Sequence, residues 1–165
     1  MVQPPVNSVT IRKEVYPGDP SAIKIITESS GFFRPDEVDV AVELANEALL
    51  KGLESGYHFL LAEIGGSTVG FACYGHIACT IGSYDLYWIA VHQDFRAKGV
   101  GQLLLREVET DVLALNGRKI YIETSSQKKY QPTQKFYLSA GYSLVATFED
   151  FYEKEDHKLV YCRTL

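Results

Sequence analysis

The chain has 165 residues, enough for one domain, 1–165, with a substantial core and no need of covalent staples. With 46% hydrophobic and 22% charged residues it has the balance of an ordinary globular protein. A net charge of −5 disfavours nucleic acid and anionic membrane surfaces as partners and mildly favours a cationic substrate.

The N-terminus, Met1-Val2-Gln3-Pro4-Pro5, lacks the basic and then apolar segments of a signal peptide. No apolar run approaches the ~20 residues of a membrane span, so a cytoplasmic location is expected. Residues 8–15 alternate apolar and polar, which predicts a first strand. Gly18-Asp19-Pro20 reads as a turn, with Asp19 as N-cap and Pro20 at the first position of a helix reaching about Ser29.

Arg34-Pro35-Asp36-Glu37 opens a second helix. Val38, Ala41, Ala45, Ala48 and Leu49 keep helical spacing up to Gly52. His58–Ile64 and Thr68–Ile77 read as a hairpin about Gly65-Gly66. His58 and His76 fall on it, as core, surface or cleft residues. Residues 84–91 are nearly all apolar, as a central strand requires. A helix runs from Gly99 to about Asn116, with Val100, Leu104, Val108 and Val112 on one face and Gly117 as C-cap. Lys119–Thr124 is a strand, and Gln131–Ser139 a short helix. Two strands, Tyr142–Glu149 and Lys158–Arg163, close the chain.

Cys73, Cys79 and Cys162 form no C-x-x-C pair, so neither a metal site nor a disulfide framework is expected. Cys73 and Cys79 lie close enough to meet across a turn, but reduced thiols fit the expected compartment better.

The joint between the strand at 84–91 and the helix at 99 carries the chemistry. Arg96-Ala97-Lys98-Gly99-Val100-Gly101 is a Gly-containing loop that opens a helix. The first N–H groups of a helix have no internal acceptor and carry positive partial charge, and glycine admits an anion close to the backbone. Arg96 and Lys98 add local positive charge to an acidic protein. A Walker loop is disfavoured because no Gly-Lys-Ser/Thr follows, and a dinucleotide fingerprint because its third glycine is missing.

Ile89-Ala90-Val91, the loop Arg96–Gly101 and the helix start Leu103-Leu104-Leu105 resemble the pyrophosphate-loop block of the GNAT superfamily, the acyl-CoA N-acyltransferases. A second block, Pro132-Thr133, Phe136-Tyr137 and Ala140-Gly141-Tyr142, resembles that family's Phe-Tyr helix. The resemblance implies an α/β (α+β) fold, a mixed and largely antiparallel seven-stranded sheet with helices on both faces, in the order β-α-α-β-β-β-α-β-α-β-β. It covers nearly the whole chain in element order, and the N-terminal third in element order alone.

The resemblance further implies acetyl transfer from acetyl-CoA, as co-substrate and without a metal, to a primary amine. Ile89, Ala90, Val91, Arg96, Ala97, Lys98, Gly99, Val100 and Gly101 would hold the donor. The backbone of Ile89 and Val91 would bond the pantetheine where neighbouring strands splay apart. Tyr130 stands where many members have Asn, and offers its hydroxyl instead. Tyr137 matches the general-acid tyrosine; a phenol is protonated at neutral pH and can donate to the leaving sulfur.

Strand periodicity puts Asp85, Tyr87, Ile89 and Val91 on one face and Trp88 on the other, toward the core. Asp85, Tyr87 and Glu123 are the candidates for preparing the amine, and His92 is either a relay or a loop residue. The acidic, aromatic segment Phe148–Glu153 either caps an amine pocket or is a solvated loop. A small-molecule acceptor is favoured over a protein lysine or N-terminus, and an enzyme over a non-catalytic acyl-CoA-binding module. Family habit and an exposed sheet edge admit a homodimer.

Overall fold

The computed structural model describes residues 8–165. The reading of Met1–Pro5 therefore lies outside the described residues. The elements are β1 (Thr10–Arg12), α1 (Asp19–Ser29), α2 (Pro35–Lys51), β2 (His58–Ile64), β3 (Ser67–His76), β4 (Ser83–Val91), α3 (Val100–Ala114), β5 (Lys119–Ser125), α4 (Gln131–Ser139), β6 (Ser143–Glu153) and β7 (Asp156–Thr164). Their order is the expected one. The seven strands form one sheet in the order β1-β2-β3-β4-β5-β7-β6. Antiparallel pairs join β1 to β2, β2 to β3, β5 to β7 and β7 to β6, and a parallel pair joins β4 to β5.

Two compact units divide the chain. The first holds the described residues up to Gly75 and Trp88–Thr110. Its core packs Ile23 and Ile26 of α1 and Ala41, Ala45 and Ala48 of α2 against Phe59, Leu61, Phe71 and Cys73. Each large side chain fully removed from water there contributes about 1.5–3 kcal/mol. Gly70 alternates with Phe71 on β3 and so faces the other way. A Cβ at Gly70 would lie 3.3 Å from Leu104 of α3 and 3.3 Å from Val91. Helices therefore cover both faces of β3, and its buried positions run unbroken from Val69 to Gly75.

The second unit holds residues 76–87 and 111–165. Here Tyr84 and Leu86 of β4 pair with Ile120 and Ile122 of β5, and Ile122 pairs with Tyr161 of β7. All five are buried. α4 lies on this face through Tyr137, whose ring stands 5.9 Å from Tyr161 and 6.1 Å from Tyr142.

Several local expectations are corrected. β1 is shorter than 8–15, because Arg12 turns its side chain out of the strand to Asp19 and the Glu14 carbonyl. Asp19 is the first helical residue and not the cap: its carboxylate accepts from Arg12 and, at 2.6 Å, from the Tyr16 N–H, while Gly18 takes the cap position. Glu37 caps α2 by accepting from the Arg34 N–H at 2.7 Å. Leu49 is exposed, so the apolar stripe of α2 ends at Ala48.

β4 is not buried throughout as a central strand would be, since Tyr84 and Leu86 are buried while Tyr87 is exposed. After α3 it is Asn116 that turns left-handed, at φ +61°. Gly117 serves close packing instead, for a Cβ there would lie 2.3 Å from Val112 and 2.9 Å from Tyr84. β6 extends to Glu153 and is almost wholly exposed, as the edge of the sheet. Cys73, Cys79 and Cys162 are all free thiols, so Cys73 and Cys79 do not pair.

Candidate active site

In the first unit β4 ends in Ile89, Ala90 and Val91, all half-buried. Trp88 and Ala90 turn toward the α1–α2 core, and Trp88 meets Phe33 edge-on at 5.0 Å. Val91 turns to the opposite side, beside Gly70. Trp88 therefore faces the core as expected, with Val91 on the other side. The His92 N–H then donates to the Val69 carbonyl at 2.8 Å, and a single 3-10 turn spans Gln93–Phe95. His92 Nδ1 accepts from the Asp94 N–H at 3.3 Å. That bond makes His92 a cap of the loop.

Arg96–Gly101 is one continuous loop and helix start. Ala97 and Gly99 take left-handed φ values of +56° and +82°. α3 begins at Val100, and the Leu103 N–H is the first to find an acceptor, Gly99 O at 3.0 Å. The amides before it are the unsatisfied donors of a 15-residue helix. No acidic residue stands in its first turn. Arg96 donates to Val91 O at 3.4 Å, with its guanidinium 5.2 Å above the Phe32 ring. Lys98 donates to Asp94 O at 2.6 Å. Ser29 Oγ accepts from the Gln93 N–H at 3.1 Å and ties the loop to the end of α1. Exposed amides, two cations and the positive end of a helix dipole suit a diphosphate.

In the second unit Tyr137 is buried among Phe136, Tyr142 and Tyr161. Burial pushes its phenol pKa up, so the hydroxyl keeps its proton across the neutral range. Tyr130 stands at the cap of α4, half-buried, with Lys129 5.3 Å over its ring. Gln134 donates to Ser125 O at 3.1 Å and joins α4 to the end of β5.

Asp85 is half-buried. Burial raises its pKa above the usual carboxylate range, and nearby Glu123 adds to the rise while Lys158 opposes it. Tyr87 is 40% exposed. Register puts Asp85 opposite Tyr121, with Glu123 two residues further on the same face. Glu123 pairs with Val160, and Lys158 lies two residues before Val160. Asp85, Glu123 and Lys158 thus share the face opposite the one on which Tyr137 packs.

Lys158 was missed in the sequence as a site residue; the rings of Phe148 and Phe151, in the aromatic segment singled out there, lie against it. His58 stacks on Tyr74 at 4.9 Å. His76 holds the Thr80 carbonyl at 2.9 Å. Among the described residues no cluster of three or more His, Cys, Asp or Glu is placed to hold a metal ion. Nor is any helix of those residues long and apolar enough to cross a membrane.

A seven-stranded mixed sheet whose fourth strand feeds a helix through a basic, glycine-containing loop defines an acyltransferase-type fold. The family model of the GNAT acetyltransferase domain matches residues 55–144. A solved structure from Desulfovibrio desulfuricans, described as an acetyltransferase of the GNAT family, is 44% identical, with a TM-score of 0.93 over 94% of this chain and 98% of that one. The ribosomal-protein-S18-alanine N-acetyltransferase of Escherichia coli is similar in fold at 16% identity, with a TM-score of 0.76 over 94% and 93% of the two chains. An aminoglycoside 6'-N-acetyltransferase complexed with coenzyme A is similar at 16% identity, with a TM-score of 0.75 over 94% and 98%. Among curated proteins the chain has no match. The chain belongs to the GNAT acetyltransferase family, whose members are acyl-CoA-dependent transferases.

Proposed function

We propose that this enzyme, as a single domain of residues 1–165, moves an acetyl group from acetyl-CoA to a primary amine of a small molecule. The observation that carries the donor assignment is the left-handed pair Ala97 and Gly99, which sets a basic loop against the free amides of α3. Arg96, Ala97, Lys98, Gly99, Val100 and Gly101 receive the pyrophosphate, and Tyr130 contacts the same cofactor. Ile89, Ala90 and Val91 line the pantetheine arm. The β4–β5 register supports this: it runs from Ser83–Lys119 to Leu86–Ile122, while β4 continues to Val91. The stretch of β4 beyond that register suits a ligand lying along the strand, where a backbone N–H would stabilise a developing oxyanion.

Bound acetyl-CoA would supply the acetyl thioester and a thiolate leaving group. Asp85 takes a proton from the acceptor's ammonium group, directly or through water, so that the neutral amine can attack the thioester carbonyl, with Glu123 and Tyr87 beside it. Tyr137, on the other face of the sheet from Asp85, would give a proton to the sulfur from that side as the C–S bond breaks and the C–N bond forms. Desolvation gives Asp85 a higher proton affinity than a surface carboxylate, which suits a base. The net charge of −5 favours a cationic acceptor in a cytoplasmic setting. The exposed edge β6 leaves room for a homodimer.

A panel of small amines, a lysine peptide and an N-terminal peptide, each offered with acetyl-CoA, tests the reading through release of free CoA thiol. Turnover on small amines is expected. Turnover confined to peptides would make the enzyme a protein acetyltransferase. Tight acetyl-CoA binding without release on any acceptor would make it a binding module.

A further inference from the structure

We infer that Lys158 is a positioning residue for the transfer reaction, its ammonium fixed on the Asp85–Glu123 face so that Asp85 stands as a carboxylate when the acceptor amine arrives. The inference rests on the reading of Asp85 given above.

The lysine is held on several sides. Its side chain is only 14% exposed, and its Nζ lies 3.3 Å from Glu123 Oε1. The same Nζ stands 4.0 Å from the Phe151 ring centroid and 4.8 Å from that of Phe148. A lysine free in solvent would spread its charge over many rotamers. Two aromatic faces and a carboxylate confine this one to a single place.

The backbone is bent to make that clamp. Phe148 and Phe151 are three residues apart, and a regular strand would send them to opposite faces. The β6–β7 register instead breaks between Phe148 and Glu153. Within the break Asp150 turns left-handed at φ +49°, and its N–H donates to His157 Nδ1 at 2.9 Å. The bulge brings both rings onto Lys158. Bulges are a recurrent means of re-aiming side chains. This one arms an exposed edge strand with a specific charge holder.

The electrostatic need is evident from the neighbours of Asp85. Burial and Glu123 both favour the neutral acid there, and Lys158 opposes them. Tyr121 of β5 lies opposite Asp85, and Tyr87 follows two residues along β4. Lys119 shares the Asp85 face one pair further toward the start of β5, opposite Ser83. His76, at the end of β3, turns to Tyr84 and to the Thr80 carbonyl. β6 contributes the rings of Phe148 and Phe151, and His157 of β7 is committed to the bulge. Without Lys158 the two carboxylates would face each other with that cation gone, and Asp85 would hold its proton to higher pH.

The test is a carbon-detected NMR titration of the Asp85 carboxyl in the full chain, for wild type, Lys158→Gln and Lys158→Arg. Lys158→Gln is expected to raise the midpoint by about one pH unit, and Lys158→Arg to restore it. An unchanged midpoint in Lys158→Gln overturns the inference. Should Lys158→Gln fold poorly, Phe151→Leu, at a residue 54% exposed, loosens the clamp from outside and is expected to move the midpoint the same way by less. No movement there overturns it equally. The pH profile of kcat/KM, with acetyl-CoA and the best amine of the panel, separates the two claims. Asp85→Asn should remove the acid limb, and Lys158→Gln should shift it upward. A limb that survives Asp85→Asn sinks Asp85 as proton acceptor, and with it the role of Lys158 in transfer. A limb lost in Asp85→Asn but unmoved in Lys158→Gln sinks the inference about Lys158 alone.

Discussion

Arg12 grips Asp19 with two guanidinium nitrogens, Nη1 to Oδ2 at 2.7 Å and Nη2 to Oδ1 at 2.9 Å. Its Nε reaches Glu63 Oε1 at 2.8 Å, so one arginine joins β1, the start of α1 and the end of β2. The side chains of Arg12 and Asp19 are 15% and 5% exposed. Removing Asp19 leaves the largely buried Arg12 with Glu63 as its remaining carboxylate partner and takes away the acceptor of the Tyr16 N–H. Asp19→Ala is therefore expected to cost about 3 kcal/mol in denaturant unfolding. A loss near zero would show that the pair merely decorates the fold.

The same pair has a pH signature. Burial by itself would raise the pKa of Asp19, but the Arg12 hydrogen bonds and the Tyr16 N–H outweigh it and hold the carboxyl below the usual range. A folded pKa below the unfolded one gives stability that is complete above the unfolded value, about pH 4, and is lost as pH falls through the folded value. Wild type should lose stability in that window, and Asp19→Asn should lose less across it. Parallel curves from thermal melts between about pH 2 and 5 would count against the assignment.

Gly99 sits at φ +82°, where a β-branched residue is strained. Gly99→Val is expected to abolish acetyl-CoA binding by calorimetry while the chain stays folded. Affinity equal to wild type would remove this loop from the donor site.

Ala97 carries a left-handed φ of +56° without being glycine. That conformation costs an L-residue about 1–2 kcal/mol. Ala97→Gly relieves it but adds backbone entropy to the unfolded chain, about 0.5–1 kcal/mol. A net gain of about 0.5 kcal/mol is expected from denaturant midpoints, with acetyl-CoA affinity retained. A clear loss of stability would contradict this balance.

Tyr137→Phe should lower kcat about 100-fold and leave the KM for acetyl-CoA nearly unchanged. Because burial raises the phenol pKa, no loss of wild-type rate from its ionisation is expected below about pH 10. Wild-type turnover in the phenylalanine variant would exclude the acid role.

Much of this architecture was legible in the sequence. Period-two and helical spacing located all eleven elements, and the Arg96–Gly101 loop was visible because its signals are contiguous. What escaped depends on register or on distant partners. Asp19 looks like a cap until Arg12, seven residues earlier, is seen to claim it. Gly117 looks like a helix terminator, whereas its need arises from Val112 and Tyr84 filling the space a Cβ would take. Lys158 was invisible because its partners come from β5 and from a bulge in β6 that breaks the local period. The acceptor's identity is faint for a related reason: its candidate groups are scattered over strands whose pairing no short motif records.

The most direct test is mass spectrometry of an amine incubated with enzyme and acetyl-CoA carrying a ¹³C-labelled acetyl group. Labelled N-acetyl product should form in step with free CoA for wild type, and should vanish for Gly99→Val. Labelled product appearing equally with the Gly99→Val protein, or no labelled product on any primary amine despite acetyl-CoA binding, would contradict the account.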